Sequence, residues 1–189
     1  MSAATQESQS GAYVGPGGRS GDSGVDCRRM VVTALNRRTV AGGMSVTQER
    51  LDEYEALLNR VKAWVTDQPD IRAVGLAGSW ARGEARMSSD VDLVVLTDDS
   101  DRYIKKSAWI ELATGQHGQI IRTQSWGPLI ERRVKEPSGF LIEFGFAPTS
   151  WASIDPLDPE NARIVAEGFK VLYDPDGMLA ELVAATLRG

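Results

Sequence analysis

The stretch that decides the fold is residues 78–93, which read GSWARGEARMSSDVDL. It begins where an apolar run, 71–77, ends, and it reaches into a second apolar run, 91–96. Both runs have the length and composition that are typical of short buried strands. The sequence therefore predicts two buried strands joined by a polar connection that carries functional side chains.

The acidic end of this stretch places two carboxylates close together. Asp90 and Asp92 stand at alternate positions where the second strand begins. Because side chains alternate across a strand, both should face the same side, with their Cα atoms roughly 6.5–7 Å apart. Two like charges at this spacing raise each other's pKa, and a divalent cation between them turns repulsion into attraction. By itself, however, an Asp-x-Asp pair is more typical of a strand that begins with two solvated aspartates.

The glycine end of the stretch has the pattern of a phosphate-binding turn. A strand followed by Gly-Ser and a short helical turn presents backbone N–H groups and a hydroxyl to phosphate oxygens. Gly78 permits close approach of the backbone, Ser79 supplies a donor, and Arg82 lies about one helical turn further on. Two commoner phosphate-binding motifs, the Gly-Lys-Ser/Thr loop and the Gly-x-Gly-x-x-Gly turn, are absent from the sequence.

Both ends together resemble a known signature. Gly-Ser-x-Ala-Arg-Gly at 78–83 and Ser-Asp-x-Asp-Leu at 89–93 are similar to the motif of the DNA polymerase β-like nucleotidyltransferase superfamily. The match is best with its small stand-alone bacterial-type members, the minimal or antibiotic-type nucleotidyltransferases. The resemblance implies a nucleotidyltransferase-like mixed β-sheet flanked by helices. It also implies transfer of a nucleoside monophosphate from a nucleoside triphosphate to an acceptor hydroxyl, of a small molecule or a protein, with release of pyrophosphate.

The same resemblance implies roles for individual residues. Asp90 and Asp92 would be catalytic and would bind metal. Four residues would bind the nucleotide: Gly78, Ser79, Arg82 and Ser89. The implied cofactor is Mg²⁺, with two ions expected and Mn²⁺ as a substitute. Two such ions, roughly 3.5–4 Å apart, would clamp the attacking and leaving oxygens of an in-line displacement.

A third carboxylate is implied on a neighbouring strand, and Glu143 is the candidate. It lies within 140–146, FLIEFGF, on the face opposite to the apolar side chains. An acid inside so apolar a strand is costly without a partner, which favours a role as metal ligand or general base. Many members have Asp at this place, and drug-modifying members with Glu are known. The alternative is an edge-strand glutamate that pairs with Arg132 or Arg133 across a hairpin.

The remaining sequence predicts a single α+β, or mixed α/β, domain over 44–189. Ser45 and Gln48 resemble a capping box at the start of a helix that should end near Gln68-Pro69. Further helices are expected within 101–113, near 160–167 and after 174–177, and further strands at 119–123, 129–134, 140–146 and 169–173.

The N-terminal residues 1–43 differ from the rest of the chain. They hold eight of the 19 glycines and many Ser and Thr residues, and they are predicted to form a disordered extension. Met44 directly precedes the first helix signal, so a natural start at Met44 is a hypothesis.

The bulk composition narrows the function classes. A net charge of -5 and a pI near 5.0 argue against tight, sequence-independent binding of nucleic acid, which needs a concentrated basic surface. The single cysteine, Cys27, excludes a disulfide within these 189 residues, and the single histidine, His117, is expected at the surface. No apolar run approaches the roughly 18 residues of a membrane span, and we expect a cytoplasmic protein.

Three functions remain open at this point. The first is an enzyme that acts on a small-molecule or protein acceptor. The second is an antitoxin-like protein whose main role is to bind a toxin, and the third is an RNA-directed enzyme acting on tRNA-like ends, which the acidic charge disfavours. The acceptor, the preferred nucleotide and the oligomeric state are not fixed by the sequence.

A few other side chains have two interpretations each. Trp80, Trp126 and Trp151 are expected mainly in the core, with stacking on a base as the alternative. Arg132 and Arg133 either assist the phosphates or lie on a solvated strand edge.

Overall fold

The computed structural model describes residues 46–188. The predicted extension, 1–43, and Ser45 of the predicted capping box lie outside the described residues, so both remain predictions. Within 46–188, none of the helices combines the length and the hydropathy that a bilayer crossing requires.

Helices and strands alternate irregularly along the described chain. The helices are α1 (Gln48–Thr66), α2 (Gly78–Arg82), α3 (Ser100–Lys105), α4 (Trp109–Thr114), α5 (Pro159–Ala166) and α6 (Met178–Thr186), with a 3₁₀ turn at Thr149–Ala152. The strands are β1 (Ile71–Ala77), β2 (Val91–Thr97), β3 (Gln119–Trp126), β4 (Leu129–Lys135), β5 (Leu141–Ala147) and β6 (Phe169–Tyr173).

The strands form one six-stranded mixed sheet in the order β3-β4-β5-β2-β1-β6. Strands β2 and β5 are parallel, and the other neighbouring pairs are antiparallel. The predicted α+β class, with a mixed sheet flanked by helices, is confirmed. Strands β2 and β5, which carry Asp92 and Glu143, are neighbours in the interior of the sheet.

The two faces of the sheet are covered differently. One face packs against α1, α3 and α4 through an aromatic cluster that includes Trp64, Tyr103, Trp109, Phe144 and Phe146. Each aromatic pair of this kind contributes roughly 0.5–1.5 kcal/mol beyond its buried area. On the opposite face, α5, α6 and the 3₁₀ turn pack mainly over β1, β2 and β6. That second face carries the charged side chains described below.

Some predicted boundaries are corrected by the structure. Helix α1 begins at Gln48, and Oγ1 of Thr47 accepts a hydrogen bond from the backbone N–H of Arg50 at 3.3 Å. The helical stretch predicted within 101–113 consists of two short helices, α3 and α4, separated by residues 106–108. At this break the indole of Trp109 donates to the carbonyl oxygens of Tyr103 and Lys106, at 2.9 and 3.0 Å.

Candidate active site

The site begins with the sharp turn between β1 and α2. Gly78 has a φ of 73°, in the left-handed region that favours glycine. A Cβ atom added at Gly78 would lie 2.2 Å from Oδ2 of Asp92, far inside van der Waals contact. Both the backbone conformation and the absence of a side chain are therefore needed for the Asp92 carboxylate to lie against this turn.

Three carboxylates meet beside the turn. Asp90 immediately precedes β2, and Asp92 is the second residue of that strand. Glu143 lies opposite Asp92 in the parallel β2–β5 register. One carboxylate oxygen from each of the three residues lies within 4.8 Å of the others. Asp92 and Glu143 are buried, whereas Asp90 is half-buried.

A row of charged side chains crosses the sheet at this level. Through the strand registers, Asp92 lies beside Glu143, Glu143 beside Arg133, and Arg133 beside Arg122. Arg133 forms an ion pair with Asp90 through Nη2 and a second with Glu143, its Nε lying 3.0 Å from Oε1. Arg122 Nη2 donates to the same Glu143 oxygen at 3.0 Å. Two acidic and two basic side chains thus lie on four adjacent strands.

The positive charges of Arg122 and Arg133 offset the repulsion among the acids only in part. Burial raises the pKa of Asp92 well above its ordinary value, and the charges of Asp90 and Glu143 raise it further. Burial, together with the charges of Asp90 and Glu131, raises the pKa of Glu143 to about 8, although Arg133 and Arg122 oppose the shift. Oδ1 of Asp92 is buried without a hydrogen-bond partner among the described residues.

These features fit a divalent cation. Carboxylate oxygens are the ligands that Mg²⁺ and Mn²⁺ prefer. A buried acceptor without a donor is costly, and crowded carboxylates repel one another, so a cation at Asp90, Asp92 and Glu143 would satisfy both needs.

A known protein family matches the part of the chain that contains most of this site. Residues 59–134 match the family described as "Polymerase beta, Nucleotidyltransferase", and the match contains the Gly78 turn, Asp90, Asp92 and Arg133. Residues 59–134 therefore resemble a polymerase β-like nucleotidyltransferase domain. The family predicted from the sequence motif is confirmed.

Two curated relatives of this nucleotidyltransferase are archaeal. The chain is 26% identical over 92 residues to the "Putative protein adenylyltransferase MJ1379" of Methanocaldococcus jannaschii, covering 46% of this chain and 92% of the relative. It is 28% identical over 78 residues to the "Protein adenylyltransferase MntA" of Thermococcus cleftensis, covering 40% of this chain and 79% of the relative.

Similar solved structures include a cytoplasmic RNA terminal U-transferase, at 17% identity and a TM-score of 0.41, and Cid1 in complex with its short product ApU, at 16% and 0.42. They cover 75% and 76% of this chain. The chain matches 44% and 46% of their own lengths, so it spans less than half of each.

The other residues predicted to bind nucleotide are placed around the turn of the nucleotidyltransferase. Ser79 is half-buried and follows Gly78 in α2. Ser89 supports the loop before β2, its Oγ accepting from the backbone N–H of Arg86 at 3.0 Å. Arg82 is not brought to the carboxylates: its Nη1 donates to the carbonyl oxygen of Glu167 at 2.7 Å. Roles for Ser79, Ser89 and Arg82 in nucleotide binding stay predictions.

A cavity of ≈ 220 Å³ adjoins the carboxylates on the same face of the sheet. Asp92 and Glu143 form part of its wall, and Trp126, Trp151 and Ile164 form apolar parts. The two tryptophans are buried, as the core interpretation expects, and yet they also border the space beside the acids. Trp80 belongs to the core, where it stacks on Tyr54 at a centroid distance of 4.1 Å, and His117 is exposed as expected.

The alternative prediction for Glu143 is partly wrong. Strand β5 lies between β4 and β2, so Glu143 is not on an edge strand. Its ion pairs are with Arg133 and Arg122, whereas Arg132 faces the other side and donates to the carbonyl oxygen of Tyr103. Glu143 therefore pairs with arginine while lying within the acidic cluster, and its role as metal ligand or general base stays a prediction.

Sequence reasoning missed Arg122 and Glu131. Arg122 Nε donates to Glu131 Oε1 at 2.8 Å, and the indole of Trp126 donates to Glu131 Oε2 at 2.9 Å. The available signal was the alternation along the two hairpin strands, which places Arg122 and Gln124 on one face of β3 and Glu131 and Arg133 on one face of β4.

Proposed function

We propose that this nucleotidyltransferase transfers the AMP group of ATP to a protein hydroxyl in a reaction that depends on Mg²⁺ or Mn²⁺. The observation that carries the proposal is the cluster of Asp90, Asp92 and Glu143, whose oxygens lie within 4.8 Å of one another beside the Gly78 turn. The names of both curated relatives, protein adenylyltransferases, support ATP as the donor and a protein as the acceptor.

The chemistry is an in-line displacement at the α-phosphorus of the nucleotide. The acceptor oxygen forms a bond to that phosphorus, the bond to the bridging oxygen of the β-phosphate breaks, and pyrophosphate leaves. The proton of the acceptor hydroxyl passes to Glu143 or to water. Asp90, Asp92 and Glu143 would hold the divalent cation, which supplies neutralising charge to the phosphate and leaving oxygens.

The protein itself contributes position and a fixed electrostatic environment. Gly78 lets backbone and carboxylate approach closely, and Ser79 follows it with a hydroxyl donor for the triphosphate. Glu143 lies on an interior strand, and Arg122, itself paired with Glu131, donates to its Oε1. A carboxylate held in this way is positioned to accept a proton without reorganising during the reaction.

A small-molecule acceptor is a second candidate because of the ≈ 220 Å³ cavity. Its apolar wall, with Trp126 and Trp151, and its boundary with Asp92 and Glu143 would place a small hydroxyl compound beside the acids. The net charge of -5 still argues against a polymeric nucleic acid acceptor.

The deciding experiment supplies α-³²P-labelled ATP, GTP, CTP or UTP with Mg²⁺ to the purified protein, together with a cell lysate and a panel of hydroxyl compounds. We expect ATP to label a protein band, and Asp92→Asn to abolish the label. Labelling of a small compound would favour the second candidate. A parent protein that transfers label to no acceptor would refute the enzymatic proposal and favour a binding role such as that of an antitoxin.

A further inference from the structure

Arg133 occupies an unusual place in the acidic cluster. It lies on β4 opposite Glu143, with its side chain 18% exposed. Its Nη2 contacts Oδ2 of Asp90, and its Nε lies 3.0 Å from Oε1 of Glu143. The guanidinium thus bridges two of the three carboxylates that would hold the metal.

The neighbouring arginine, Arg122, is anchored differently. Glu131 is 3% exposed, and it accepts hydrogen bonds from Arg122 and from the indole of Trp126. Arg122 therefore has a buried partner of its own that does not belong to the metal cluster. Among the described residues, Arg133 has ion-pair partners only in Asp90 and Glu143, and its Nε has no hydrogen bond of good geometry.

Charge counting shows that both guanidinium groups together leave the region negative. With all four carboxylates ionised, as metal binding requires of its ligands, Asp90, Asp92, Glu131 and Glu143 together with Arg122 and Arg133 have a formal charge of -2. A divalent cation would neutralise this charge. It would also compete with Arg133 for the oxygens of Asp90 and Glu143, because a cation at these ligands repels a guanidinium already bound to them.

We propose that Arg133 is a resident counter-ion of the metal-free site, that the divalent cation displaces it, and that the released guanidinium then binds the triphosphate of the incoming nucleotide. The second half of this sequence presupposes the proposed function. The triphosphate is the anion that arrives with the metal, and a planar guanidinium donates to phosphate oxygens in a bidentate manner. Arg133 would therefore exchange one pair of anionic partners for another on the same face of the sheet.

The two steps make opposite predictions for one variant. In Arg133→Met the competitor for the carboxylates is removed, so the affinity for Mn²⁺ alone should rise about tenfold, the change that corresponds to about 1.4 kcal/mol. The affinity for ATP, measured at saturating Mn²⁺, should fall about tenfold, because the triphosphate loses a charge-assisted donor. A merely structural role would lower both affinities or leave both unchanged.

The chain offers a matched control. Lys135 lies two residues further along β4, on the same face, and is exposed beyond the cluster. Lys135→Met removes the same charge and should change either affinity by less than about twofold, as expected for a screened surface charge. Arg133→Lys keeps the charge but loses the planar fork, so its two affinities should lie between those of the parent and Arg133→Met.

Isothermal titration calorimetry with Mn²⁺ alone, and then with ATP at saturating Mn²⁺, measures both quantities on variants whose folding is checked by circular dichroism. If Arg133→Met does not fold, Arg133→Lys carries the same test with smaller changes. Mn²⁺ binding that is unchanged or weaker in these variants overturns the displacement, and unchanged ATP binding overturns the transfer to the triphosphate. Nucleotide transfer by the parent protein is measured separately, so failure of the proposed function is distinguished from failure of the Arg133 proposal.

Discussion

Replacing Gly78 with alanine tests whether the turn exists to accommodate Asp92. The φ of 73° costs an L-residue about 1–2 kcal/mol, and Gly83, at a φ of 74°, has the same backbone requirement. The two positions differ in their surroundings. A Cβ at Gly78 meets Asp92 Oδ2 at 2.2 Å, whereas a Cβ at Gly83 meets nothing within 4 Å.

Gly83→Ala is therefore the matched control for backbone strain. It should lower the free energy of unfolding by about 1–2 kcal/mol and leave metal and nucleotide binding intact. Gly78→Ala should lose a further ~1–3 kcal/mol from overpacking, or else displace the Asp92 carboxylate. In either case the stabilisation by Mg²⁺ and ATP should be greatly reduced.

Urea unfolding of both variants without metal gives the two free energies, and thermal melts with Mg²⁺ and ATP give the response to ligand. The difference between the variants, rather than either value alone, isolates the contact with Asp92. If Gly78→Ala unfolds at the same urea concentration as Gly83→Ala and responds equally to Mg²⁺ and ATP, then the close approach of Gly78 to Asp92 has no functional importance.

Three further predictions concern the carboxylates. Glu143→Gln should reduce turnover by about 10²–10⁴-fold with little change in nucleotide affinity, the usual scale for a positioned acid or base, and full specific activity in steady-state kinetics would refute this role. Mg²⁺ with ATP should stabilise the parent by about 2.7 kcal/mol at a hundredfold excess over the dissociation constant, and Asp90→Asn should abolish this shift in a thermal melt. Without metal, the free energy of unfolding should fall as pH rises from about 4.5 towards 8, because the folded protein keeps protons on Asp92 and Glu143 that the unfolded chain releases. Melts across this range should show the decline, and saturating Mg²⁺ or Asp92→Asn should flatten it.

The sequence predicted the frame of the site well because local patterns determine it. The bounds of β1, Ile71–Ala77, and of β6, Phe169–Tyr173, agree with the structure, since apolar runs between turn residues are local signals. Asp90 and Asp92 were identified from spacing and motif alone. Glu143 was the candidate because the family resemblance implies a third carboxylate on a neighbouring strand, and because an acid within an apolar strand needs a partner.

The arginines were harder to interpret because their contacts depend on strand register. Whether Arg132 or Arg133 faces the acids depends on which residue of β4 lies opposite Glu143, and the hairpin sequence does not determine this. Arg122 lies two strands away from Glu143, since its side chain reaches Glu143 across β4 from the edge strand β3. Such contacts follow from the order of strands in the sheet, which no local pattern contains.

The order of strands also explains how acids and arginines come together at this site. The parallel pairing of β2 with β5 places Asp92 directly beside Glu143, and burial makes their repulsion costly. The antiparallel pairing of β5 with β4 places Arg133 on the other side of Glu143, where it reaches Asp90 as well. The sheet thus holds the acids close enough for a shared cation and supplies a weaker cation of its own. Arg133 leaves Asp92 Oδ1 without a hydrogen-bond donor. Binding of a divalent ion to the metal-free site would therefore still be favourable.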